Sequence, residues 1–224
     1  MTDGWTVARA RGAAADLHGR PLGPHVERAV TVLDVERASL VLGSTQPDSD
    51  VDRDAVASAA VDVVRRRSGG GAVLLLPGQQ LWVDVEIPRD DPLWVDDVGR
   101  SFDWLGRAWR AAVAQLRIDA RVHVGALVET RWSRRVCFGG IGPGELVVDG
   151  GKLVGISQRR TRDGARFQCV VHRRWDPRPL VDLLTLERSE RKDAIADLAT
   201  AGTGIDVEGG VLVDALLSNI PQPA

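Results

Sequence analysis

Lysine is nearly absent from this chain of 224 residues: of its 29 basic side chains, only Lys152 and Lys192 are lysines and the rest are arginines. Cysteine is equally scarce, with only Cys137 and Cys169, too few for a disulfide framework, so both thiols are expected to be reduced. Long apolar runs are missing. The longest, Ala72 to Leu76, is far short of the roughly 20 residues that a bilayer span needs. The first twenty residues mix charge and glycine without a signal-peptide core, and a cytoplasmic location with no membrane contact is expected. Nor is there an excess of positive charge. A formal net charge of −2 and a pI near 6.1 speak against nucleic-acid binding and leave small molecules or other proteins as partners. His18, His25, His123 and His172 are scattered without metal-ligand spacing, so no metal site is expected.

What is present suits a single domain over residues 1–224, since 44% apolar residues can fill one large core. Arg28 to Val35 and Ser39 to Gly43 read as strands. Asp50 is placed to cap a helix from Val51, with Val56, Ala60, Val61 and Val64 at helical spacing. AVLLLP and QLWVDVEIP read as two strands joined at Pro77-Gly78 in a hairpin. Phe102, Leu105, Trp109, Ala112, Val113 and Leu116 recur every three or four residues and predict a helix from Val98 to Leu116. The tryptophans between Trp82 and Trp109 are expected in packing. RVHVGALV, ELVVDG, KLVGISQ and ARFQCVV read as strands, with Asp149-Gly150 a hairpin turn. Residues 177–224 read as a helical tail. The fold class is α+β, with a mixed, largely antiparallel sheet flanked by helices.

Two segments carry chemistry. In RRRSGGGAV, from Arg65 to Val73, three glycines let the backbone approach a ligand and turn N–H groups towards an anion, with arginines alongside. A plain glycine turn beside a solvated basic patch reads equally well. The spacing matches neither a Walker loop nor a dinucleotide fingerprint. In ELVVDGGKLVGISQ, from Glu145 to Gln158, the return strand begins with the rare Lys152, and Gly155 leaves space beside a ligand. Lys is a compact ammonium that can address one oxygen or shift its pKa, which Arg cannot, so its use here points to a site rather than to a solvated hairpin end.

Together, RRRSGGGAVLL and, about eighty residues later, ELVVDGGKLVGISQRR resemble the paired signature of the lipoate-protein ligases, octanoyltransferases and biotin ligases, with VLGSTQ at Val41–Gln46 as a weaker third match. The resemblance covers Val30 to Val171 and implies a fold similar to class II aminoacyl-tRNA synthetase and biotin ligase catalytic domains. It also implies that Arg66, Ser68, Gly70, Gly71, Ala72, Val73, Gly155 and Lys152 surround an acyl or acyl-adenylate group. Biotin is disfavoured, because the loop reads RRRSGGG rather than GRGRxGR. The accessory domain of the longer lipoate ligases is not expected in this sequence, which speaks against a complete ATP-dependent activity. Cys137 lies in VCF, eight residues before Glu145, where one octanoyltransferase branch keeps its nucleophile. A buried packing cysteine is the other reading of it, and Cys169 is the poorer candidate.

Three functions follow from the resemblance. The first is a ligase that uses ATP and Mg²⁺ to attach lipoate or octanoate, through an acyl-adenylate, to a lysine of a lipoyl-domain protein. That acceptor would be a dehydrogenase E2 or the glycine cleavage H protein. The second is an octanoyltransferase without ATP, with Cys137 as thioester nucleophile and an acyl carrier protein as donor. The third is a non-catalytic acyl-binding or regulatory subunit.

Overall fold

The computed structural model describes residues 4–23 and 26–222; His25 lies outside them. Two sheets organise the chain. The larger contains β1 (Thr6–Gly12), β2 (Ala29–Val35), β6 (Gln80–Pro88), β7 (Arg121–Val122), β8 (Leu146–Val148), β9 (Gly151–Arg160) and β10 (Gly164–His172), in the order β1-β2-β6-β10-β9-β8-β7. Only β1 and β2 run parallel; every other pairing in that sheet is antiparallel. The smaller sheet has the order β4-β3-β5, from β3 (Ser39–Leu42), β4 (Asp62–Arg65) and β5 (Val73–Leu75).

Successive strand side chains point to opposite faces, and this alternation separates core from site. On β10, Ala165, Phe167, Cys169 and Val171 join a core built with α3 (Asp103–Gln115) and α6 (Gly209–Leu217). The intervening Arg166, Gln168 and Val170 face the other way. There the small sheet and α1 (Ala14–Gly19) meet the large sheet around Leu33, Trp82 and Phe138. Trp82, Trp104 and Trp109 are all buried, as expected of packing residues. Among the described residues, no helix is long and apolar enough to cross a membrane.

Several expectations need correction. The helix read through Val64 is short: α2 covers Arg53–Ser58, and its cap is Asp52, whose Oδ1 accepts from the Ala55 amide at 2.9 Å, rather than Asp50. Ala60, at φ 52°, takes the chain out of the helix, and the β-branched run behind it becomes β4, parallel to β3. Val61 and Val64 fit helical spacing, but with Val63 they suit an edge strand better. AVLLLP and QLWVDVEIP are both strands, yet not a hairpin, because β5 lies in the small sheet and β6 in the large one. RVHVGALV forms a strand only at Arg121–Val122, with an isolated antiparallel bridge from Val128 to Ile141. The helix read over Val98–Leu116 is a 3₁₀ turn, Arg100–Phe102, followed by α3. The Asp149-Gly150 turn is a two-residue hairpin loop with φ of 50° and 86°, the positive pair that such a turn requires. β1 and α1, which the sequence reading did not assign, complete the N-terminal edge. The tail forms α4 (Arg178–Val181), α5 (Arg188–Leu198) and α6.

Candidate active site

The glycine loop and β9 come together across about eighty residues of sequence: Ser68 Oγ lies 3.0 Å from Ser157 Oγ and donates to Gln168 Oε1 at 3.2 Å. Arg66 shapes the loop from within. Its guanidinium, 4% exposed, donates to the carbonyls of Val41 (3.2 Å), Gly69 (2.6 Å) and Gly71 (2.8 Å). It makes no ion pair among the described residues. Burial pulls its pKa below the ordinary arginine value, and the charge of a neighbouring Cys137 thiolate would partly offset this. A peptide N–H points opposite its C=O, so holding the Gly69 carbonyl turns the Gly70 amide away from Arg66. The arrangement leaves that amide for a ligand.

Close approach explains the glycines. Gly70 sits at φ 92°, and a Cβ on Gly43 would come 1.8 Å from its carbonyl oxygen. A Cβ on Gly71 would stand 2.5 Å from the Val136 amide nitrogen. That contact brings the loop against the segment before Cys137. The Ala72 amide donates to Arg135 O and the Cys137 amide to Ala72 O, both at 2.9 Å. Cys137 then opens a short 3₁₀ turn, Cys137–Gly139.

Lys152, 2% exposed, projects from the start of β9 to the same place. Its Nζ pairs with Glu145 Oε2 at 2.7 Å and donates to the Cys137 carbonyl at 2.8 Å, above the Phe138 ring. The contact between the two candidate residues therefore runs through the backbone of Cys137. Glu145 is itself fixed by the Gly142 amide (2.6 Å) and the Ile156 amide (3.0 Å). An ammonium has three N–H groups, and these partners use two of them.

Around these residues lies a cavity of about 860 Å³, lined by Gln46, the glycines 69–71, Arg135, Cys137, Glu145, Lys152 and Ser157, among others. A narrow inner pocket of about 30 Å³ adjoins it, with Val73, Leu75, Trp82, Phe138 and Val170 as apolar walls and His18, Arg66 and Gly155 beside them. Cys137, Ile156 and Ser157 line both spaces. Among the described residues, no group of three or more His, Cys, Asp or Glu side chains gathers to hold a metal ion.

The structure thus gathers Arg66, Gly70, Gly71, Val73, Cys137, Lys152 and Gly155 around two adjoining spaces. Ser68 lines neither; it is buried behind them and holds Ser157 and Gln168, which do. Ala72 serves the site through its backbone. Cys169 lies in the core on the opposite face of β10. Four further residues were not singled out from sequence: Glu145 as the lysine's partner, Gln46, His18 and Gln168. Gln46 is buried and bridges Asp50 and the Arg135 carbonyl, both at 3.1 Å. A carboxylate beside the hairpin that carries the rare lysine was a signal for Glu145. His18 gave none.

Comparison with known proteins agrees with this geometry. An octanoyltransferase LipM of Exiguobacterium sp. is 29% identical over 150 residues, 65% of this chain and 54% of that protein. An octanoyltransferase LipM of Lysinibacillus sphaericus is 28% identical over 187 residues, 81% of this chain and 66% of that one. The chain therefore spans between half and two thirds of the length of these relatives. Among solved structures, a bi-partite lipoate protein ligase of Thermoplasma acidophilum superposes with a TM-score of 0.77 at 15% identity, covering 97% of this chain and 82% of that one. Lipoate-protein ligase A bound with ATP superposes at 0.68 and 18% identity, covering 98% and 84%. The profile of the lipoyl protein ligase A/B catalytic domain matches residues 24–210, and the chain belongs to that family.

Proposed function

We propose that this protein transfers a medium-chain acyl group, octanoyl or lipoyl, to a lysine of a lipoyl-domain protein, with Cys137 as nucleophile. The observation that carries the reading is the position of Cys137, at the junction of a small apolar pocket and a wide cavity with room for donor and acceptor. The relatives named octanoyltransferase support it. A T. acidophilum ligase described with its E2 lipoyl domain supports the acceptor class.

The chemistry is one thioester exchange followed by aminolysis of the acyl-cysteine. The Cys137 thiolate attacks the carbonyl carbon of an acyl thioester on a carrier; a new C–S bond forms, the carrier's C–S bond breaks, and the carrier leaves as a thiol after taking up a proton. An acceptor lysine amine then attacks the acyl-cysteine. The amide forms, the C–S bond breaks, and the proton from the amine returns to sulfur. Lys152, itself buried, fixes the turn bearing Cys137 and offers its third N–H to charge developing on the carbonyl oxygen. The Gly70 amide, without a partner among the described residues, is a second such donor.

ATP-dependent ligation is the second reading, and the volume of the cavity favours it. About 860 Å³ is ample for a nucleotide beside an acyl chain. Asp50 and Glu129 stand on its wall, and a Mg²⁺–nucleotide takes one or two carboxylates. ATP would supply the activation that a carrier thioester supplies in the first reading. Intact-mass analysis after octanoyl-acyl carrier protein, and separately after octanoate with Mg-ATP, separates the two. An acyl adduct on Cys137 from the carrier alone supports transfer; acylation of a lipoyl domain only with ATP supports ligation.

A further inference from the structure

One wall of the inner pocket comes from outside the family-matched residues 24–210. α1 precedes them and brings His18 over Trp82, with ring centroids 4.3 Å apart. Gln168 Oε1 accepts from Ser68 Oγ, so its Nε2, 3.1 Å from His18 Nδ1, is the donor to the imidazole. The neutral ring then carries its proton on Nε2. That N–H is buried and has no partner among the described residues. Burial, aided by the nearby Arg66 and Arg166 charges, lowers the His18 pKa to about 3, so the ring is neutral near pH 7. A neutral ring on an indole closes the pocket as an apolar wall would.

The wall is also anchored. Arg166, buried on β10, donates to the carbonyls of Arg20 and Pro21, both at 2.9 Å. Arg20 pairs in return with Asp84 (3.2 Å) and Glu86 (3.3 Å) on β6. The segment directly after His18 is thereby fixed to two central strands. Cys137 and His18 line the same small free space, about 30 Å³, so a chain that enters tail first past Cys137 comes up against walls that include this ring.

We propose that His18 is the end wall of the acyl pocket and sets the longest acyl chain the protein accepts. The proposal rests on the acyl-transfer reading above. It assigns a specificity role to a residue that touches the tail of the substrate and not its reacting carbonyl. The unpaired Nε2–H adds a direction: a phenyl ring would form the same wall without that N–H in the acyl pocket, at the cost of the Gln168 bond to Nδ1, and should hold a saturated chain about as well.

The test is a chain-length series of acyl-carrier thioesters, hexanoyl to tetradecanoyl, on wild type, His18→Ala and His18→Phe, with acyl-Cys137 formation as readout. Thermal shift with the free fatty acids provides a second readout that needs no catalysis. Wild type and His18→Phe should fall off steeply beyond octanoyl, since one methylene too many in a closed pocket costs about tenfold or more. His18→Ala should gain at least about tenfold for dodecanoyl relative to octanoyl. If His18→Ala does not fold, His18→Val is read in its place. Parallel profiles in wild type and the shortened variant would overturn the proposal and leave acyl transfer standing. A wild type that neither forms an adduct nor is stabilised by any fatty acid would overturn both.

Discussion

The two cysteines mark two regions with opposite surroundings. Cys169 stands in the middle of β10, pointing into the helix-covered core, fully buried, and burial pushes its thiol pKa well up. Cys137 stands where a strand-like segment turns into a 3₁₀ helix, between two cavities, with its carbonyl held by a buried lysine. Position relative to the sheet, not the thiol itself, makes one a packing atom and the other a candidate nucleophile.

The sharpest way to break the comparison is to remove each sulfur in turn. Cys137→Ser should lower transfer from an acyl carrier by at least about 10³-fold with little change in stability. Cys169→Ala should leave the rate per folded molecule unchanged and cost about 1–2 kcal/mol in urea unfolding. Equal loss of activity in the two variants would erase the distinction.

Lys152→Arg should cost about 10²- to 10³-fold in rate, since it removes one preorganised donor. A guanidinium cannot reproduce the bonds to Glu145 and the Cys137 carbonyl in so closed a slot, with Phe138 and Gly155 packed beside it. Lys192→Arg should be silent. Transfer to a lipoyl domain, with circular dichroism as folding control, is the measurement; equal activities would reduce Lys152 to a structural cation.

Acid probes the buried titratable groups through stability and not through rate. His18 and His172 have pKa values lowered to about 3 and about 4, chiefly by burial. The unfolded chain binds their protons below about 6.5 and the folded chain does not, so their stability is complete above that pH and is lost as pH falls. Asp84 opposes this. Burial outweighs its arginine partners and raises its pKa to about 6, so protonation of the folded state returns some stability between about 6 and 4. Two histidines against one carboxyl leave a net loss of about 1.4 kcal/mol per pH unit in that window. Urea midpoints near pH 7 and pH 4.5 measure it. His172→Phe should flatten the dependence, and an unchanged slope would contradict the assignment.

Much of this site was legible in the sequence because its constraints are local. RRRSGGG announces a backbone that must pass close to something, Asp149-Gly150 fixes the hairpin, and a lone lysine among arginines marks a place where shape matters as well as charge. The same locality explains the misses. Whether Val61 to Val64 completes a helix or forms an edge strand depends on the partner β3, not on its own spacing. The strands flanking Pro77-Gly78 read as a hairpin because nothing in them reveals that they belong to different sheets. His18, the proposed end wall, could not be found at all, since it meets Trp82 on β6 and Gln168 on β10, 64 and 150 residues away in sequence, only when α1 folds over them.

The central claim, that Cys137 carries the acyl group, is tested most directly by intact mass spectrometry after incubation with octanoyl-acyl carrier protein in the absence of ATP, followed by peptide mapping. The account predicts one octanoyl group per chain, located on Cys137, released by hydroxylamine and consumed when a lipoyl domain is added. No adduct, together with full acylation of the lipoyl domain when octanoate and Mg-ATP are supplied to the Cys137→Ser variant, would contradict it.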